Sequence, residues 1–374
     1  MIYFISFIIV LGIPVFLHEL GHFLAAKSVG IKVEKFYVGF DFFNLGIKKK
    51  YKDTEYGIGL FPLGGYVKVA GILDENMDLN TKGEDFEFRS KNVFQKVWFL
   101  SAGVIMNFIL AFFVFSILIF YKGNYTPILN EPIVNEVVNF DFDNDDVFEV
   151  VSPANTIGLK KNDRIISINN IPIDTFFDLQ MIVSKNPGNE INLEWERRSS
   201  ETKVEKFNSI IVPIKNDDAE IGMLGITPYF HIFDQDVNFF ESINYAVIET
   251  ISWTKQISFG IWSLITGKMS MDELSGPLGI AQIAGETASS SGGFYKLFML
   301  MAIISINLGL INILPLPVVD GGHVLIAIIE GIIGREIPIK IKHFIQIAGM
   351  LLLLFLFIFV FYNDIYKLFN PPLN

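Results

Sequence analysis

FLHELGHFLA, residues 16–25, puts two histidines and a glutamate inside a run otherwise suited to lipid. Residues 1–17 carry no charged side chain, and residues 23–26 are apolar again. Ionisable groups at such a depth cost roughly 2.5–3.5 kcal/mol each, so they are kept where an ion, a proton or a substrate requires them. The order H-E-x-x-H sets His18 and His22 one turn apart on one helical face. Both imidazoles then reach the same zinc ion, which lowers the pKa of its water to about 7, and Glu19 beside them is placed to take the proton. An accidental match is the competing reading. It is weak inside an apolar span, where a glutamate without a partner has nothing to offset its burial.

The rest of the chain agrees with a bilayer as its solvent. Its 374 residues are 51% hydrophobic and 18% charged, with a mean hydropathy of +0.44, which is too apolar for an ordinary soluble protein. Residues 97–120, 297–319 and 344–363 are uncharged, or nearly so, over the length of a transmembrane helix. Residues 2–26 make a fourth span once the polar trio is allowed. A cleaved signal peptide would want a basic start and a small-residue cleavage site, whereas the first basic residue is Lys27. With no cysteine in the chain, any metal must rest on His, Asp or Glu. The net charge of −11 is concentrated in residues 122–236, which hold 20 acidic and 10 basic residues. That balance excludes nucleic acid as a partner.

Residues 27–96 hold 12 Lys and Arg, against 10 in the longer acidic stretch. The denser basic loop is expected on the cytoplasmic side and the acidic domain on the exported side, with HELGH toward the inner face. Within the acidic insert, SPANTIGLKKNDRIISINNIPI at 152–173 reads as a short helix, a turn at Lys161 and Asn162, an apolar strand and a tight turn at Asn169 and Asn170. Asparagine accepts positive φ better than other non-glycine residues. This stretch resembles the PDZ domains of exported bacterial proteases, with Asn162 and Asn170 standing where glycines are usual.

Two histidines leave a catalytic zinc one protein ligand short. His231, His323 and His343 are available, but Asp320 in NLGLINILPLPVVDGGHV is the better candidate. It is the acidic residue at the end of the third clean span, after Pro315 and Pro317 and before Gly321 and Gly322. Irregular backbone at membrane depth is tolerated where it lines a polar cavity or is buried in protein. Chain parity supports the choice. Residues 238–266 are interrupted by Glu241, Glu249 and Lys255 and read as an interfacial amphipathic helix. If they do not cross, Asp320 arrives on the side of His18 and His22; if they do, it lies on the opposite face. A shared ion therefore demands four crossings.

HELGH, PLGGYVKVAG at 62–71, SAGVIMNFILA at 101–111, the PDZ-like insert, LSGPLGIAQ at 274–282 and NLGLINILPLPVVDGGH at 307–323 together resemble the site-2 protease family, of the bacterial regulator-of-sigma-E type. The likeness is colinear over nearly the whole chain. Val104 departs from a frequent proline, Val319 from a frequent leucine, and there is one PDZ-like domain where some members have two. The resemblance implies an intramembrane metalloprotease with one Zn2+ held by His18, His22 and Asp320 and with Glu19 as general base and acid. It also implies residence in the bacterial cytoplasmic (inner) membrane and cleavage of single-span membrane proteins, such as an anti-sigma factor or signal-peptide remnants. The PDZ-like domain would then act as a size filter or tether for substrates already trimmed.

The expected fold is a multi-pass α-helical membrane protein with four transmembrane helices, a membrane-associated β-hairpin at 55–71 and an inserted α+β PDZ-like domain. Residues 1–121 form the first catalytic membrane half and 122–236 the exported domain. Residues 237–292 supply interfacial amphipathic helices and a loop, and 293–374 the second catalytic half. A substrate helix must unwind before its amide is exposed, and in lipid its freed backbone groups then need partners. The glycine-rich hairpin, at Gly64 and Gly65, is expected to supply them by strand addition. Asn312 and Asn307 are candidates to donate to the substrate backbone or oxyanion, with hydrogen bonding between helices the equal alternative, while Asn107 reads as an interhelical hydrogen-bonding residue. The competing class is a non-catalytic membrane scaffold that uses zinc structurally and presents a PDZ domain; a general base such as Glu19 has no task there. A metal transporter would need a continuous polar path that the third and fourth spans do not offer.

Overall fold

The computed structural model describes residues 1–41, 45–59, 61–71, 84–122, 132–141, 149–200, 203–215, 222–228, 237–266, 274–290 and 292–369. The chain divides into two compact units: Met1–Tyr121 with Asn238–Ile265 and Met271–Asn374, and Lys122–Val237 with Thr266–Ser270. Among the described residues, four helices of the first unit are long and apolar enough to cross a membrane.

The first of these, Ile2–Ser28 (α1), is not uniform, because residues Ile8–Gly12 open into a π turn. Pro14 supplies the reason: it has no N–H for the carbonyl of Val10, and its ring would collide with that carbonyl in a regular helix. Beyond it the helix is regular to Ser28 and buries His18, Gly21, His22, Ala25 and Ala26 on one face.

Four strands follow: Val33–Phe40 (β1), Ile47–Tyr51 (β2), Thr54–Ile58 (β3) and Phe61–Val69 (β4), in the sheet order β2-β3-β1-β4. The expected hairpin over 55–71 is therefore not formed. β3 pairs with β1 in parallel and β4 pairs with β1 antiparallel, so the two segments flank a common neighbour. A lone two-stranded hairpin is marginal, whereas β1 offers both of its edges and buries Val33, Phe36, Tyr37 and Gly39. β4 is left at one edge of the sheet.

The second candidate span lies within Val93–Lys122 (α2). It opens on a reciprocal cap in which Asn92 Oδ1 accepts from the Gln95 N–H at 2.9 Å and Gln95 Oε1 from the Asn92 N–H at 3.1 Å. α1 and α2 approach closely at Gly21, where an added Cβ would lie 3.1 Å from Gly103 Cα. Small residues at such a contact let two backbones meet.

The second unit contains Val134–Val137 (β5), Pro153–Thr156 (α3), Arg164–Ile168 (β6), Ile171–Pro172 (β7), Phe176–Ser184 (α4), Ile191–Ser200 (β8), Lys203–Ile211 (β9) and Ile226–Pro228 (β10). One sheet runs β9-β8-β6-β7, and β10 pairs with β5. Its core gathers Ile165, Ile168, Leu179, Leu193 and Trp195. Asn162, Asn169 and Asn170 have φ of 70°, 50° and 62°, so asparagine does hold the left-handed turns. Asp163, fully buried, accepts from Arg197 Nε at 2.7 Å and Nη2 at 2.6 Å and braces the first turn through the Lys160 N–H.

Returning to the first unit, Phe239–Ile265 (α5) buries Ser242, Ala246, Glu249 and Ser263 and is not among the four candidate spans. Pro277–Ser289 (α6), Gly293–Ile313 (α7), Asp320–Ile333 (α8) and Ile339–Phe369 (α9) complete it. α7 stops earlier than the 297–319 run expected, because Leu314 precedes Pro315 and is forced to an extended ψ of 144°. The chain then re-enters a helix at Asp320, an element that hydropathy alone did not announce. α8 ends at Gly334 with φ 70°, the usual left-handed stop.

Candidate metal centre

Three elements far apart in sequence converge at His18. α1 carries His18 and His22 one turn apart, and Asp320 stands in the first turn of α8. His18 Nε2 lies 3.1 Å and His22 Nε2 3.2 Å from Asp320 Oδ2, and the two Nε2 atoms are 3.2 Å from each other. The three donors thus form a nearly equilateral triangle. Zinc bonds of about 2.0–2.2 Å in a tetrahedron set neighbouring donors about 3.3 Å apart, so these three atoms would fit three corners of a zinc site. Among the described residues this trio is the group able to hold a metal. His323 and His343 are not part of it, and His231 lies outside the described residues.

The side of each ring away from Asp320 is held as well. His22 Nδ1 donates to the Phe99 carbonyl at 2.9 Å, and His18 Nδ1 lies 3.2 Å from the side-chain amide of Asn107. Between these two α2 residues sits Gly103, where a Cβ would lie 2.7 Å from His18 Cε1 and 2.8 Å from His18 Nδ1. Sequence reasoning missed Gly103 and assigned Asn107 only a link between helices. Their four-residue spacing on α2 was the available signal.

Glu19 points to the sheet. Gly65 of β4 is packed so closely that a Cβ there would stand 3.0 Å from Glu19 Cγ and 2.8 Å from the Tyr37 carbonyl. Gly64, at φ 107°, is confined against the Phe40 ring. A cavity of about 290 Å³ is lined by His18, Glu19, His22 and Asp320 together with Tyr66 and Val67. His323 lines it too, and burial pushes its imidazole below the ordinary value, against the opposing charge of Asp320. Asn307 and Asn312 are half-buried on α7 and do not line this cavity.

Apolar helices able to span a membrane, together with an H-E-x-x-H pair completed by a carboxylate, define a membrane-embedded zinc metalloprotease. The description of peptidase family M50 matches residues 6–356, and the chain belongs to that family, the site-2 proteases. The zinc metalloprotease RasP of Geobacillus kaustophilus is 31% identical, with 98% of each chain covered. The Campylobacter jejuni protein Cj1068, provisionally named a zinc metalloprotease, is 33% identical over 98% of this chain and 94% of its own length.

Proposed function

We propose that the protein cleaves the transmembrane segment of single-span membrane proteins, with His18, His22 and Asp320 holding one zinc ion and Glu19 moving the proton. The observation that carries this reading is the 3.1–3.2 Å triangle of donors with Glu19 in the same cavity. When bound, zinc polarises the scissile carbonyl and brings the pKa of water to about 7. Glu19 takes a proton as water attacks the carbonyl carbon and delivers it to the amide nitrogen, so the C–N bond breaks and a carboxylate and an amine leave. β4, whose Gly65 packs on the Glu19 side chain, keeps Glu19 beside the cavity for this transfer.

An unwound substrate adds to the edge of β4, where Gly64 and Gly65 keep side chains out of its way. The packing of Gly65 on Glu19 supports this placement, because the strand that receives the substrate also touches the base. Asn312 and Asn307, in the C-terminal half of α7, donate to the substrate backbone. Residues 1–121 and 293–374 are the two catalytic halves, 237–292 lie at the interface, and 122–236 form an exported PDZ-like domain that filters or tethers substrates. The left-handed asparagine turns and the four-stranded sheet support that last assignment. The site faces the cytoplasmic side of a bacterial inner membrane, and the substrates are anti-sigma factors or signal-peptide remnants. Glu19 argues against a zinc-bearing scaffold without activity.

The test is purified Glu19→Gln assayed on a model transmembrane substrate alongside its zinc content. Cleavage lost with zinc retained is expected. Unchanged cleavage rejects the enzymatic reading.

A further inference from the structure

α2 presents Phe99, Gly103 and Asn107 to the histidine pair at four-residue intervals. The Phe99 carbonyl is an acceptor, so His22 carries its proton on Nδ1 and offers the Nε2 lone pair. At His18 the same requirement is met differently. Asn107 is fully buried, and its Nδ2 stands 3.2 Å from His18 Nδ1 while its Oδ1 is buried without a hydrogen-bond partner. His18 Nε2 is the atom aimed at Asp320 and His22. A neutral imidazole that gives up its Nε2 lone pair has its proton on Nδ1. Two donors, Nδ1–H and the amide NH2, would then oppose each other across 3.2 Å. Half a turn of the amide removes the conflict, because oxygen and nitrogen ends are nearly interchangeable in size and are told apart by their partners.

We infer that Asn107 is a positioning residue of the metal centre: its Oδ1 accepts from His18 Nδ1–H, fixing the tautomer and ring plane that leave Nε2 for zinc. The inference rests on His18, His22 and Asp320 being the ligands. Asn107 is itself held in place. Ser305 Oγ donates to its backbone carbonyl at 2.9 Å, and at Gly309 a Cβ would already lie 3.5 Å from Asn107 Cβ. The amide therefore turns in place and does not swing away from His18. α2 supports both imidazoles at their remote nitrogens, one through a backbone carbonyl that substitution leaves intact and one through a side chain that substitution removes.

Zinc dissociation constants of the full-length protein, from chelator competition, test this against thermal unfolding of the metal-free forms. Asn107→Leu keeps the volume and loses the acceptor; it is expected to bind zinc about 10–100-fold more weakly. Asn107→Asp keeps an acceptor and is expected to bind comparably to the unsubstituted protein or more tightly. A residue that only joined helices would shift the unfolding temperature and leave zinc affinity alone, so undiminished affinity in Asn107→Leu overturns the inference. Should that variant not fold, histidine nitrogen-15 spectra of the zinc-loaded unsubstituted protein decide: a protonated Nδ1 on His18 is expected, and a bare one overturns it. Zinc retained in full by His18→Ala or Asp320→Ala would instead remove the ligand assignment, and this inference with it.

Discussion

Gly103→Ala adds one methyl group where the metal centre has no room for it. The new Cβ would lie 2.7 Å from His18 Cε1 and 2.8 Å from His18 Nδ1, and closer still to His22 Nε2. Ordinary van der Waals contact begins near 3.4 Å, so the His18 ring must retreat by about 0.7 Å and the His22 ring by more, or α2 must move away by as much. α2 is held where it is, because the Ser305 hydroxyl donates to the Asn107 carbonyl and His22 Nδ1 to the Phe99 carbonyl, each at 2.9 Å. A metal site keeps its ligand distances within about 0.2 Å, so a 0.7 Å retreat takes a histidine out of reach. Zinc affinity is expected to fall at least about 100-fold, or about 2.8 kcal/mol. Metal-free stability should change less, since overpacking at about 1–3 kcal/mol is partly offset by the helix propensity of alanine, about 0.8–1 kcal/mol over glycine. Chelator-buffered zinc titration measures the first effect and circular-dichroism melting the second. Gly12→Ala is the control, because its Cβ meets only Ile8 Cγ2, at 3.6 Å. Unchanged zinc affinity in Gly103→Ala, or an equal loss in the control, refutes the reasoning.

Gly65→Pro on the β4 edge should lower cleavage of a model substrate by about tenfold or more in kcat/KM while zinc content holds; equal loss of both would remove strand addition as the cause. Glu249 is buried in α5, which pushes its pKa to about 7 against the opposing hydrogen bond from Trp253. A carboxyl raised in the folded state contributes stability that is fully present below about pH 4.5 and is lost as pH rises through about 7. Glu249→Gln should accordingly raise the unfolding temperature at pH 8 and alter it much less at pH 5; the reverse order contradicts the assignment. Asp364 of α9 accepts from the N–H groups of Gly276, Leu278 and Gly279 at 2.9–3.0 Å. Removing it in Asp364→Ala leaves three donors without that acceptor, each costing about 1–3 kcal/mol if it stays buried. Amide hydrogen exchange at 276–279 should accelerate, and unaltered exchange would show that the carboxylate does not hold α6.

His18, Glu19 and His22 were legible because a helix converts a five-residue pattern directly into geometry. Asp320 was legible by a longer route, since the ligand count of zinc and the parity of crossings left few alternatives. The asparagine turns of the second unit could be read because positive φ selects so few residue types. The hairpin expected over 55–71 failed for a specific reason: strand propensity marks which residues are extended and says nothing about which neighbour they choose. β1 lay outside that window and took both partners. α8 went unseen because PLPVVD reads as the ragged end of a span, although the two prolines end one helix and Asp320 begins another.

Sequence alone determined the solvent of the protein, its four apolar helices, the zinc chemistry and a His-His-Asp group able to hold a metal. These are properties of composition and of short periodic patterns, which act within one element. Tertiary structure decided that β4 touches Glu19, that Gly103 clears space for two imidazoles and that Asn107 reaches His18. Each depends on which face of one element meets another, and that choice is settled by packing between segments that the local pattern leaves unrelated.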